Sequence, residues 1–424
     1  MSVTTRDGAT YGQLLSHPVY RPMWVVQVIN QVGDAVTRTA LPVYVYMSTG
    51  SAVALSLTLA MQYAALMIVG PVAGVIVDRA DRKRMLIAIN AIRAFLVVML
   101  VWVNAMWQIY LIQLISSCLA AAYLPTHSSV MLQIIPRRLY LKAATVAKVT
   151  TQITSTCGPA LGAVLLAYIG PVAAFAVDSL SFAVAAVVLA VLTLPRLASD
   201  RAPSHATARP PFMKSAVAEF LGGVSFLRQQ PVLLFMTVMQ TLRGIGGTMP
   251  AVVLVVYVGE VAAAPASMYG WVMAMASAGL VIGSIGISFA EGKLARHVVL
   301  SVGSIIGGLA LVPFAVGLPM SAVMALMLLS NVALGAAFVV ENVYFAELTP
   351  TELRGRVYSA ARAVLAPGEL LSMAVLPVAL RILSPQGAMS VAGLAIAAGF
   401  LAPAWVMRGY KMIVQGRVQP LIDR

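Results

Sequence analysis

Gly70-Pro-Val-Ala-Gly-Val-Ile-Val-Asp78-Arg-Ala-Asp-Arg-Lys-Arg84 joins two apolar runs, and its last seven residues carry four basic and two acidic side chains. Upstream, Val53 to Val77 is apolar over a length that crosses about 30 Å of hydrocarbon as a helix. Downstream, Met85 to Val103 does the same. A charged segment this short between two such runs reads as a turn of a multi-pass membrane chain, on the side where Lys and Arg are retained.

Working outward, the same signature recurs. Besides these two, apolar runs extend over Pro22 to Tyr46, Trp107 to His127, Val146 to Ile169, Pro171 to Leu194, Val232 to Val256, Met268 to Ala290, Val298 to Val316, Pro319 to Phe345, Val357 to Leu383 and Gly387 to Met407. Twelve spans are therefore predicted. The 424 residues are 60% hydrophobic and 10% charged, with a mean hydropathy of +0.92. An average soluble domain has about 45–50% apolar and about 25% charged residues, so an ordinary soluble enzyme is excluded. Met1 to Arg21 is polar and lacks a signal-peptide core, which predicts that the first run is retained as a span.

The formal charge of +14 would suggest nucleic acid in a soluble protein. Here position gives it another meaning. All but four of the 28 Lys and Arg residues fall before the first run, in the turns after the even-numbered runs or just inside the runs that follow them, or after the twelfth. Turns after the odd-numbered runs hold no Lys or Arg, and Glu260 is their single acid. This predicts cytoplasmic termini in a plasma (inner) membrane, with the lipid bilayer rather than nucleic acid as partner. Trp24 and Trp405 fall at predicted inner ends and Trp102, Trp107 and Trp271 at outer ones, as indole rings prefer the headgroup level.

The two halves resemble each other at an offset of about 213 residues. Gly70 and Asp78 match Gly283 and Glu291 in relative spacing, and Pro136 to Lys142 opens the fifth run much as Pro350 to Arg356 opens the eleventh. Gly158-Pro159 and Pro367-Gly368 then fall at corresponding depths, where they are predicted to interrupt their helices. Paired Gly/Pro interruptions in a duplicated bundle point to a transporter with its site between the halves. The expected organisation is a six-helix bundle over residues 1–194, a Pro-rich linker with a short interfacial helix over 195–231, and a second six-helix bundle with a short tail over 232–424.

Gly74 and Asp78-Arg-Ala-Asp-Arg-Lys-Arg84 resemble the loop motif between the second and third helices of the major facilitator superfamily. That resemblance implies an all-α membrane fold of two pseudo-symmetric six-helix bundles. It also implies a cytoplasmic gate motif comprising Gly74, Asp78, Arg79, Arg82 and Lys83. Asp81 stands where the family usually has a second glycine. Thr154 to Gly162, with Gly158, Pro159 and Gly162, is similar to the glycine-proline motif of the superfamily's exporters. Pro125 to Ser129, Phe175 to Phe182, Gly223 to Pro231 and Glu347 to Val357 look like the twelve-helix drug:proton antiporter branch, which includes macrolide efflux and enterobactin export proteins. The implied activity is proton-driven export of small amphiphilic molecules. No cofactor is required beyond the proton gradient, no metal site is expected, and a monomer suffices. A facilitative or uptake carrier, or a carrier of lipid-like molecules, is the alternative.

Ionisable residues inside the spans carry the mechanism. Arg38, Arg93, Arg243 and Arg381 each cost roughly 2.5–3.5 kcal/mol at a helix centre unless paired or hydrated. Arg381 is expected to snorkel outward. Asn30, Asp34 and Arg38 recur every four residues and so share one helical face. Asp34 is the leading proton-coupling candidate, with Arg38 as its neighbour along the helix; a permanently ionised structural pair is the other reading. Glu341 and Glu369 are further embedded acids that Arg93 or Arg243 could neutralise, while Asp178 reads as structural. Cys118 and Cys157 lie in apolar runs with no partner pattern.

Overall fold

A computed structural model describes residues 10–69, 81–193, 212–265, 267–290, 294–350 and 353–415. The described residues are helical throughout, joined by short turns. After α1 (Tyr11–Leu15) come α2 (Tyr20–Thr49), α3 (Ala52–Val69), α4 (Arg82–Met99), α5 (Met106–Ile134) and α6 (Tyr140–Val191). The second half comprises α7 (Phe212–Gln229), α8 (Pro231–Gly247), α9 (Met249–Val256), α10 (Ser267–Phe289), α11 (Arg296–Leu309), α12 (Met320–Leu348), α13 (Arg354–Ile382), α14 (Pro385–Val406) and α15 (Arg408–Val414).

Each predicted run coincides with one of these helices, with informative differences. The fifth and sixth runs form one assigned helix, α6, bent at Gly170. Gly170 has φ 75° and ψ 174°, backbone angles open essentially to glycine alone, so the chain reverses there without a loop. The seventh run is split into α8 and α9 at Thr248, with Pro250 in the first turn of α9. Conversely, the breaks expected at Gly158-Pro159 and Pro367-Gly368 are absent, and α6 and α13 remain helical through both. Neighbouring helices and side chains compensate a proline's missing N–H within a bundle. The interfacial helix is present as α7, while the linker before it lies outside the described residues.

Nine stretches among the described residues are long and apolar enough to cross a membrane by length and composition alone. Helix α2 is not among them, because its core stretch includes Gln27, Asn30, Gln31, Asp34 and Arg38. Its polar face turns inward instead: Gln27 and Asn30 are buried.

One apolar cluster joins the two halves at the end remote from the termini. Val36, Leu41 and Val45 of α2 and Leu55 of α3 pack there with Val252 to Val255, Tyr257, Val272, Met373 and Ile396. At the end bearing the termini, the clusters stay within one half: Met23, Leu86 and Leu189 in the first, Phe235, Tyr344 and Phe400 in the second. Contacts between halves run from α10 to α6, from α13 to α3, and from α9 to α2 and α3. The described residues therefore seal the seam at the far end and part toward the termini.

Candidate functional site

Between those levels, near the middle of the bundle, lie the embedded charges. The face of α2 predicted from spacing is present, but its pairing differs from the sequence expectation. Arg38 donates from Nε to the backbone carbonyl of Asp34 at 3.2 Å. The Asp34 carboxylate meets Arg93 of α4 instead, Oδ1 to Nη2 at 2.5 Å. An i,i+4 relation places two side chains on one face, whereas a guanidinium arriving from a packed neighbour reaches the carboxylate head-on. Arg93 is itself buried; its guanidinium lies 4.0 Å from the Phe182 ring centroid and Nε donates to Ser116 Oγ at 3.4 Å. Asn30 donates to Asn90 of α4 at 2.7 Å. Gln31 exchanges hydrogen bonds with Thr151 and Thr154 of α6.

The second half holds its own clamp. Arg243 of α8 reaches Glu341 of α12 through Nη1 to Oε1 at 2.8 Å and Nη2 to Oε2 at 2.9 Å. Gln240 adds a donor to the same Oε2 at 3.2 Å, and Ser304 of α11 accepts from Arg243 at 3.4 Å. Glu341 is 1% exposed, so its charge depends on these partners. Glu369 of α13 lies 4.0 Å from Arg362, whose side chain is 60% exposed. Gly368 fits closely under α8, where an added Cβ would lie 3.1 Å from the Thr241 carbonyl. Arg381 is exposed in the last turn of α13.

Of the predicted gate motif, Gly74, Asp78 and Arg79 lie outside the described residues. Asp81 caps α4, accepting from the Arg84 N–H at 3.0 Å, so the position that usually carries glycine here starts a helix. Arg82 opens α4, and Lys83 Nζ donates to the Ala190 carbonyl at 3.1 Å, satisfying an orphan acceptor at the end of α6. Gly158 and Gly162 seat α6 on α2: a Cβ at either would come within 2.2 Å of Ala35 or 2.9 Å of Thr39. Pro159 lies on the same stretch of α6.

Two contacts, made by acids that the sequence reading named without a partner, escaped it. Asp178 is 1% exposed and its carboxylate is packed over Gly33 of α2. At the far end, Tyr46 of α2 donates to Glu260, which follows α9, across the two halves. The lone acid among the outer turns was the available signal for the second. Tyr46→Phe removes one hydrogen bond to a charged acceptor, worth about 1.5–3 kcal/mol, so far-end opening should rise about tenfold. The check is the rate at which a membrane-impermeant maleimide labels Val258→Cys in a background lacking Cys118 and Cys157; an unchanged rate would remove the latch from the seal.

Among the described residues no three His, Cys, Asp or Glu side chains gather as a metal site.

Comparison with known proteins adds the family. The profile described as Major Facilitator Superfamily matches residues 23–242. The chain is 27% identical over 361 residues to the uncharacterized MFS-type transporter YfiS of Bacillus subtilis, covering 82% of this chain and 83% of that one. It is 27% identical over 225 residues to macrolide efflux protein A of Streptococcus pyogenes, over 52% of this chain and 54% of the relative. Enterobactin exporter EntS of Citrobacter koseri is 24% identical over 294 residues, covering 66% and 64%. Among solved structures, nucleoside transporter NupG superposes with a TM-score of 0.72 at 12% identity, over 95% of this chain and all of that one. A bacterial homolog of the human lysosomal transporter Spinster, inward-facing and unoccupied, gives 0.70 at 14% identity over 94% and 98%. At such identities the structural likeness is one of fold.

Proposed function

Because the chain belongs to the major facilitator superfamily, we propose that it exports small amphiphilic molecules from the cell by proton antiport. It is a multi-pass membrane protein and a secondary transporter, not an enzyme. The finer reading rests on one observation above all: an aspartate on a polar face of α2, clamped by an arginine of α4, at the level where the seam between the halves begins to part. The similarity to macrolide efflux protein A and to the enterobactin exporter supports the outward direction and the drug:proton antiporter branch.

In this reading residues 1–194 and 232–424 are two bundles that rock about a central cavity, tethered by 195–231. In this reading the excess of Lys and Arg keeps the termini in the cytoplasm, and the described residues of the two halves part on that side. Entry of one proton releases about 2.3 kcal/mol per 100 mV and about 1.4 kcal/mol per unit of pH difference, sufficient for a tenfold or larger outward gradient of a neutral solute.

Counterflow and uptake in proteoliposomes across a panel of macrolides, catecholate siderophores and lipophilic cations, with and without an imposed pH gradient, tests this. Stimulation of at least one class by the gradient, in the antiport direction, is expected. Gradient-indifferent exchange, or accumulation in the direction of proton flow, would replace export with the facilitative or uptake alternative. Asp34→Asn should preserve elution as a folded species while reducing gradient-driven transport to the level of empty vesicles. Undiminished transport by that variant would remove Asp34 from coupling.

A further inference from the structure

Each half contains an arginine clamped to an acid, but the two surroundings differ in charge. Arg243 and Glu341 stand one to one, as do Arg362 and Glu369. Arg93 is paired with one acid and has a second within electrostatic reach. Asp34 holds it from α2 at 2.5 Å. Asp178, on the limb of α6 after Gly170, lies one helical turn before Phe182, whose ring stacks on the same guanidinium. The α2 backbone approaches Asp178 so closely that a Cβ at Gly33, the residue beside Asp34, would sit 2.4 Å from Asp178 Oδ1. The polar surroundings of that carboxylate are neutral hydroxyls: Ser181 donates to Oδ1 at 3.3 Å, and Thr37 of α2 lies alongside. Tyr123 of α5, stacked on His127, completes the wall around Asp34 and Arg93.

Arg38 is exposed and turns to the Asp34 backbone carbonyl, so the part of the cluster held inside the bundle, two carboxylates and one guanidinium, has a net negative charge if all are ionised. In a nearly dry site, like charges on adjacent acids are relieved by sharing a proton. We propose that Asp178 and Asp34 form a proton-sharing carboxylate pair across the α2–α6 contact, balanced by Arg93, so that the first half of the chain stores one exchangeable proton. In the arrangement described, Arg93 is committed to Asp34 and the proton resides on Asp178. The side chain of Asp34 is 28% exposed against 1% for Asp178. Asp34 is therefore the entry and exit, and Asp178 the closed store. In the exchange, the O–H bond on Asp178 breaks as one forms on Asp34, and Arg93 transfers its pairing to the newly ionised Asp178. This deepens the antiport reading and rests on it for the proton's use in transport, but the storage itself is a property of the cluster.

The test needs no substrate. Infrared spectra of the full chain in phospholipid vesicles at neutral pH should contain the C=O stretch of a buried protonated carboxylic acid. Both Asp178→Asn and Asp34→Asn should lose the band, since either leaves one acid paired with Arg93. Arg93→Gln, which leaves two acids without a cation, should approximately double it, and Glu341→Gln should leave it unchanged. Reading the pair from both sides, with elution and melting profiles of each variant, keeps a folding failure of one from deciding the result. Absence of the band in the native chain, or its persistence in Asp178→Asn, overturns the proposal, as does its disappearance in Glu369→Gln with Asp178 intact. If the band follows the expected pattern while transport is indifferent to the pH gradient, the pair stands and the antiport reading falls.

Discussion

Arg243→Met is expected to destabilise the chain by about 3–5 kcal/mol, because it strands Glu341 as a buried carboxylate without its cation. Gln240 can hold one of the carboxylate oxygens, but an amide donor does not neutralise the charge. The double variant Arg243→Met with Glu341→Leu should recover most of the loss, since replacing a buried ion pair with apolar groups of similar volume is often neutral. Thermal unfolding in detergent, followed by loss of the monodisperse elution peak, reads the difference. A double variant no more stable than Arg243→Met would mean that the pair contributes through geometry rather than charge. The same cycle separates stability from transport: if the double variant folds but does not transport, the clamp also serves the cavity.

Gly283→Leu should abolish accumulation of folded protein. A Cβ there would lie 1.9 Å from the backbone carbonyl oxygen of Val332, and the crossing is equally tight on either side, with Gly279 over Leu328 and Gly335 over Leu280. Close backbone approach of this kind is how small residues join helices in a membrane, where packing must substitute for the hydrophobic effect. The obstacle is a backbone atom and not a flexible side-chain tip, so α10 and α12 would have to separate along the whole crossing. The cost should exceed about 4 kcal/mol, the range reached only by severe packing or charge defects. Gly286, one turn further along α10, has open space where its Cβ would be. Gly286→Leu is therefore expected to elute like the native chain from size exclusion, whereas Gly283→Leu should be absent or aggregated. Equal recovery of the two would refute the crossing.

The sequence discloses the helices better than it discloses their neighbours. Hydropathy marks most of the long helices because each one must satisfy its backbone internally in lipid, and that requirement is local. Even α2, too polar to be identified by hydropathy thresholds, is legible from the four-residue spacing of Asn30, Asp34 and Arg38. Partners across helices are not local. Spacing offered Arg38 to Asp34, while packing supplied Arg93 from 59 residues away. Glu341 and Arg243 were each conspicuous as embedded charges, yet nothing in the spacing of 98 residues joins them. Asp178 reads as a structural acid from the sequence, but nothing in its spacing places it against Gly33 of α2. Proline misled in the opposite sense: Pro159 and Pro367 signalled breaks that the bundle absorbs, and the actual reversal falls at Gly170.

The seam between the halves also has a kinetic reading. Among the described residues its apolar packing joins the halves at one end and stays within each half at the other, so this arrangement presents one doorway. A solute arriving at the closed doorway encounters a receptive form that is scarce, and its apparent affinity falls in proportion to that scarcity. The packed seam thus makes the carrier asymmetric, so that a solute half-saturates it at different concentrations on the two faces. Which way net transport runs is still set by the gradients, because the bias that weakens binding at one face slows the return step by the same factor.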